Sequence, residues 1–492
     1  MFRMLVLLVV LLPAIGSALA FAITRPSARL VVLSVVSLAH LGIVGALWVG
    51  PRASALSGWL AVDSLGLLVL TLVSLLFAAV VAYAIGFLRE ASPRGGRWFA
   101  GCLLGFLAAT SLVCASQHLA LLWVGMETTT LAIAPLIFHH HDRRSLEAVW
   151  KYLVLSSVGI AFALLGVFLL ATAQPAVSGS RPLIFGDLLS HARTLDRAWL
   201  RAAYVFALTG FGTKMGLAPL HSWKPDTYGE APSLVSALMA GALTSCAFVG
   251  LARFTAVVFA AGLDEFARPL LIAFGIVSLV VATAFVIGQS DVKRLLAYSS
   301  VEHMGLLVLG LGVGGVGAFG SVLHVLNNGI AKGMLFLVTG NMVLATGSSA
   351  AADMRGLLRV RPISAALMLV GLFAVTGSPP FGLFVSEFSI VSGAIREHHV
   401  WVAVALLLLL SIIFAGIGRV LLGVVFGGRE GGGGGGGERV GADGGGSRRD
   451  SAWLVCGPLA LAAIVLLLGV YIPAPLRASL ADAAHMLGGS AP

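Results

Sequence analysis

Residues 210–232 read Gly210-Phe-Gly-Thr-Lys214-Met-Gly-Leu-Ala-Pro219-Leu-His221-Ser-Trp-Lys224-Pro-Asp226-Thr-Tyr-Gly-Glu230-Ala-Pro232. The stretch closes an apolar run that begins at Trp199, and it sets two glycines, a lysine and a proline where a continuous helix would otherwise run. On insertion scales one lysine at the centre of a membrane helix costs roughly 2.5–3.5 kcal/mol, so Lys214 needs a reason to be there. The reading is a helix broken at lipid depth with an ionisable group beside the break.

Working outward, the 492 residues are 59% hydrophobic and 11% charged, and 61 of them are glycine. A soluble domain needs roughly 25% charged residues to clothe its surface, so soluble, disulfide-scaffold and disordered classes are excluded. Runs of about 20 apolar residues bounded by Pro, Gly or charge give about fourteen spans, the first over residues 4–23 and the last over residues 452–472. The expected fold is an all-α polytopic membrane protein. A formal net charge of +10 carries no basic stripe with interleaved aromatics, which excludes nucleic acid as a partner. Loops after odd-numbered spans hold about 18 Lys and Arg, Lys224 and Lys293 among them, against about 9 on the other side. The positive-inside rule therefore puts both termini outside the cytoplasm.

Residues 1–20 admit a rival reading as a cleavable signal peptide, with Arg3, an apolar run and Ala18-Leu-Ala20; a retained span is favoured because it keeps the count even. Residues 427–450 are glycine-rich and are expected to form a mobile cytoplasmic loop. Gly310-Leu-Gly-Val-Gly-Gly315 fits a dinucleotide-loop pattern, yet apolar helices flank it and no strand precedes it. The four cysteines lie in apolar runs without metal-ligand spacing, so no metal and no cofactor is expected.

Other ionisable groups fall where lipid is expected: Glu127 in the fifth span, Glu302 and His303 in the tenth, His324 and Lys332 in the eleventh and Glu387 in the twelfth. A desolvated lysine loses its proton readily and a nearby carboxylate restores it, so a Lys–Glu pair is a proton switch. His324, Asn328 and Lys332 recur every fourth residue and form one polar stripe. The bland alternatives are helix-gluing ion pairs and snorkelling. Lys151, near the start of the sixth span, fits snorkelling, and Arg253 is expected to reach the outer headgroups. The twelfth span carries a second break, Thr376-Gly-Ser-Pro379-Pro380-Phe-Gly382, ahead of Glu387. Matching breaks in two halves point to inverted repeats with an ion site at each.

At these residues the chain resembles the antiporter-like, proton-translocating membrane subunits of complex I and its relatives. The likeness rests on residues 212–232, on Asp291-Val-Lys293-Arg294 through Glu302-His303-Met-Gly305, and on residues 378–388. Lys224, Glu302 before His303 and the Met126-Glu127-Thr-Thr-Thr run are most similar to component F of hydrogenase-4, of the formate hydrogenlyase group. The resemblance implies fourteen transmembrane helices with two inverted five-helix repeats and broken helices 7 and 12. The division is then residues 1–97 for helices 1–3, 98–256 and 257–426 for the two repeats, 427–451 for the glycine-rich loop and 452–492 for the last helix and tail. Glu127 and Lys214 fall on the family's switch pair, and His324, Lys332 and Glu387 on its later relay positions. His221, Lys224, Asp226, Glu230, Asp291 and Lys293 belong to its loop motifs. Asn328 and Ser245 depart from the family pattern, replacing a histidine and a lysine that relatives often carry, which leaves more of the relay to water.

The function implied is translocation of H⁺ or Na⁺ across a prokaryotic inner membrane without redox chemistry in this subunit. Its partners would be other membrane subunits, lipid, and a cytoplasmic redox arm of [NiFe] hydrogenase and iron–sulfur subunits. The rivals are a subunit of a stand-alone Na⁺/H⁺ antiporter and a non-conducting membrane anchor.

Overall fold

The computed structural model describes residues 2–90, 96–175, 183–428 and 450–490. Most of the glycine-rich loop expected over residues 427–450 lies outside them. The helices are α1 (Phe2–Ala22), α2 (Pro26–Val49), α3 (Ser64–Glu90), α4 (Arg97–Ala115), α5 (Leu119–Ile137), α6 (Arg143–Thr172), α7 (Phe185–Ser190), α8 (Arg197–Met215), α9 (Trp223–Glu230) and α10 (Ser233–Leu238). They continue with α11 (Thr244–Ala260), α12 (Asp264–Val286), α13 (Val292–Val313), α14 (Gly315–Thr346), α15 (Pro362–Val375), α16 (Gly382–Arg396), α17 (Val400–Phe426), α18 (Ala452–Val470) and α19 (Ala474–Met486). One short hairpin, β1 (Ser54–Ala55) with β2 (Leu60–Ala61), precedes α3. Among the described residues twelve helical stretches are long and apolar enough to cross a membrane, the segment from Ser233 to Ala260 counting as one. The chain is an all-α polytopic membrane protein.

Burial sorts these helices. The segment from Ser233 to Ala260, α13 and most of α14 are sheathed by protein, whereas α1, α2 and α17 turn rows of leucine and valine outward, as lipid-facing helices do. The central helices also carry the polar residues, so the costly groups sit where other helices can meet them.

Both breaks expected from the sequence are present and are built alike. Helix α8 stops at Gly216, whose φ of +77° is the left-handed state that glycine adopts without strain. A Cβ there would lie 2.6 Å from Cδ of Lys224. At the second break Gly377 has φ +63°, and a Cβ would collide with a carboxylate oxygen of Glu387. Each break thus admits an ionisable side chain directly against a bare backbone, and each contains a cis proline peptide, at Pro219 and Pro380.

Two expectations are corrected, those for Arg253 and for the pair Lys224 and Lys293. Arg253 does not reach headgroups: it is fully buried, paired with Asp63 at 3.1 Å and hydrogen-bonded to the carbonyls of Cys114 and Ser116, which the end of α4 leaves free. Lys151, exposed on α6, bridges Glu147 at 2.8 Å and Asp226 at 2.7 Å. Lys224 and Lys293 are not loop charges, because the chain after the first break re-enters the bundle as α9 and buries both. Beyond the last expected span the tail forms α19, tied through Asp482 to Arg52 at 3.2 Å.

Candidate ion-conducting axis

The first group of polar residues gathers where α5, α6 and α8 meet. Lys214 is fully buried, and its ammonium donates to the Thr130 hydroxyl at 2.5 Å and to the Tyr152 hydroxyl at 3.3 Å. Thr130 in turn lies 3.4 Å from Glu127 Oε2, and Ser157 donates to the other carboxylate oxygen at 3.2 Å. The expected switch pair is therefore not in direct contact. A threonine hydroxyl stands between ammonium and carboxylate, able to donate one way while accepting from the other.

Lys224, on α9, occupies the next position. Its ammonium is held at 2.7 Å by the Met215 carbonyl, freed by the end of α8, and at 3.3 Å by that of Ser300 on α13. Sequence reasoning treats Lys224 as a loop residue because Pro225 and Asp226 follow it. A signal is nonetheless present: Trp223, Lys224, Thr227 and Tyr228 share one helical face, and all four are buried.

Past Lys224 the groups lie on α13, α14 and α16. Glu302 accepts from Ser299 at 3.2 Å. Lys332 approaches the Leu296 carbonyl at 3.4 Å and interacts electrostatically with Glu302 across the α13–α14 contact. His303 Nδ1 lies 3.0 Å from His324 Nε2, and His324 Nδ1 lies 2.9 Å from the Ser386 hydroxyl. Because that hydroxyl donates to the Leu383 carbonyl at 2.9 Å, it must accept from His324 Nδ1–H. His324 Nε2 is then the acceptor toward His303, which gives the hydrogen bond between the two rings one direction. Glu387, 9% exposed, stands at the far end.

Among the described residues no direct ion pair joins any two of these groups. Neither polar atom of the Asn328 side chain has a protein partner among them, and nor does Glu387 Oε1. A buried amide left so costs about 1–3 kcal/mol unless water satisfies it. Ser245 adds nothing to the line, since its hydroxyl bonds back to the Gly241 carbonyl of its own segment.

The other motif residues lie on the face of the bundle that carries most of the basic loops. Asp226 joins Lys151 of α6 to Arg294 of α13, the latter at 3.1 Å. With Glu147, Glu230 and Asp291 these residues line a polar cavity of about 660 Å³. Asp291 caps α13 through the Arg294 amide at 2.9 Å, and Lys293 donates to the Gly229 carbonyl at 2.7 Å. His221 is half-buried beside the stacked rings of Phe285 and Tyr298.

The pattern of the family described as NADH:quinone oxidoreductase/Mrp antiporter, transmembrane region, matches residues 116–413. The chain belongs to this family. Over 306 residues it is 36% identical to a hydrogenase-4 component F homolog of Methylacidiphilum infernorum, a match covering 62% of this chain and 64% of that one. The chain thus spans less than two thirds of that relative. Over 369 residues it is 34% identical to NADH-quinone oxidoreductase subunit N of Desulforudis audaxviator, covering 73% and 72% of the two chains. Its fold is that of a chain of the archaeal membrane-bound sulfane sulfur reductase, with TM-score 0.86, 22% identity and 98% of both chains covered. A chain of the Mrp complex from Dietzia superposes equally well, with TM-score 0.86, 20% identity and coverage of 99% and 97%. The chain is an antiporter-like membrane subunit of the kind found in complex I and membrane-bound hydrogenases, as the sequence motifs imply, and its buried groups are consistent with proton translocation.

Proposed function

We propose that this subunit carries H⁺ across a prokaryotic inner membrane, with both termini outside the cytoplasm, driven by electron transfer in partner subunits. One observation carries the reading: the ionisable groups Glu127, Lys214, Lys224, Glu302, His303, His324, Lys332 and Glu387 lie inside the bundle, most of them held by hydroxyls, carbonyls or one another's rings rather than locked in ion pairs. Static glue would pair these charges directly, because a buried charge without a counter-charge only destabilises. Three lysines and two histidines line the route, and such groups hold protons, whereas Na⁺ asks for a cage of oxygens free of competing cations. The redox centres belong to partners, among which the hydrogenase-4 relative favours a [NiFe] hydrogenase arm with iron–sulfur subunits on the basic face.

The test is redox-driven proton uptake by the assembled complex in sealed vesicles. Lys214→Ala and Glu387→Gln are each expected to abolish most of the uptake while electron transfer by the partner persists; unchanged uptake in both variants would remove the axis. Dissipation of a pH gradient by added Na⁺, without any electron donor, would establish the stand-alone exchanger instead. Loss of assembly with normal uptake per assembled complex would establish an anchor.

A further inference from the structure

We propose that His303, His324 and Glu387 form a binding site for a divalent transition metal of the Zn²⁺ class, and that occupancy closes the axis. One ligand atom from each residue lies within 4.8 Å of the others, and all three side chains are buried. Two imidazole nitrogens and one carboxylate oxygen, with a water as fourth ligand, make up a donor set that Zn²⁺ and Co²⁺ favour over Mg²⁺ or Ca²⁺.

The geometry needs little adjustment. With bonds of about 2.0–2.1 Å, tetrahedral ligand atoms stand about 3.3–3.4 Å apart. The histidine nitrogens are already 3.0 Å apart, so the pair has to open slightly and turn toward a common point, while the proton of His303 moves from Nδ1 to Nε2, an atom with no protein partner among the described residues. Glu387 must swing inward, and its Oε1 leaves no hydrogen bond behind, having no protein partner among the described residues.

Support behind the ligands is in place. Ser386 receives the Nδ1–H of His324 and is itself anchored on the Leu383 carbonyl, which leaves the Nε2 lone pair pointing inward. The surrounding charge is mixed: Glu302 favours a cation and Lys332 opposes it. Access comes through the α15–α16 break, where Pro379 and Pro380 are exposed and Gly377 and Ser378 half-buried. A metal here takes the lone pair that accepts the hydrogen bond from His303, so the link cannot pass a proton. Blocking rests on the ion-translocation reading; binding does not.

The experiment uses the full-length chain, purified without a polyhistidine tag, in lipid nanodiscs titrated with Co²⁺. The expected result is the strong visible absorption of tetrahedral Co²⁺ at one ion per chain, displaced by Zn²⁺. It should vanish in His324→Ala and need more than about tenfold more Co²⁺ in Glu387→Gln, which is nearly isosteric and keeps the test open should the alanine variant not fold. Exposed His398 and half-buried His399 serve as the control, and the signal should survive their double replacement by alanine. Absorption that persists undiminished in both ligand variants, or that disappears with His398 and His399, overturns the site. In the assembled complex Zn²⁺ should slow redox-driven proton uptake. Binding at the buried site with unslowed uptake overturns the blocking claim, and only loss of the Lys214→Ala effect would overturn the transport reading itself.

Discussion

At the break between α8 and α9 a left-handed glycine packs against a lysine; at the break between α15 and α16 a left-handed glycine packs against a glutamate. The first charge is held by a carbonyl at the C-terminal end of α8, where the helix dipole is negative. The second lies in the second turn of α16, near the positive end of that helix, with one oxygen unpartnered among the described residues. The same device therefore admits a basic side chain in one half and an acidic one in the other, each beside the helix end that suits it. The surroundings differ as well. The first break is clamped from outside by Asp226, between Lys151 and Arg294, whereas the second exposes Pro379 and Pro380.

The largest expected effect separates the two charges. Lys224→Ala removes the ammonium between the halves and should lower proton uptake by about 10²-fold or more, the range lost with a positioned proton carrier. Glu387→Gln should cost less, about tenfold, because the half-open break lets water replace one side chain. Equal losses would mean that the breaks do not differ in hydration. Thr130→Val tests the bridge between Lys214 and Glu127: with the ammonium stripped of its nearest partner, the purified chain should lose about 1–3 kcal/mol of stability, read as a lower thermal midpoint.

Asp226→Asn probes the clamp. Its ion pairs are part-exposed, so each is worth about 0.2–1 kcal/mol at most, and the effect should appear as faster amide exchange in α9 with α16 unchanged. High salt should mimic it in the wild type. An effect on stability alone belongs to Asp450, which caps α15 by accepting from the Ile363 amide at 3.1 Å and the Ser364 hydroxyl at 2.6 Å. Asp450→Ala should cost about 1 kcal/mol and leave proton uptake unchanged.

Much of this architecture is legible in the chain because lipid makes two signals loud. Apolar runs of fixed length announce spans, and a charge inside one is too costly to be incidental. Lys214, Glu302, His303, His324, Lys332 and Glu387 all stand out that way, and all are buried in the structure. Lys224 escapes because the criterion fails at a break: the residues around it are polar enough to read as a loop, and only the helical face shared with Trp223 and Tyr228 betrays it. The Thr130 bridge is hidden for another reason, since a hydroxyl in an apolar helix carries no cost worth noticing. The Arg253–Asp63 pair and the Asp450 cap join residues far apart in the chain, and no local pattern encodes such contacts.

The central claim is that the two halves form one serial path. The most direct measurement is redox-driven proton uptake for Lys214→Ala, Glu387→Gln and the double variant, in the same complex and vesicles. A single path predicts that the double variant is no slower than the slower single variant, because a broken wire cannot be broken further. Losses that add in full would contradict it and show two independent routes.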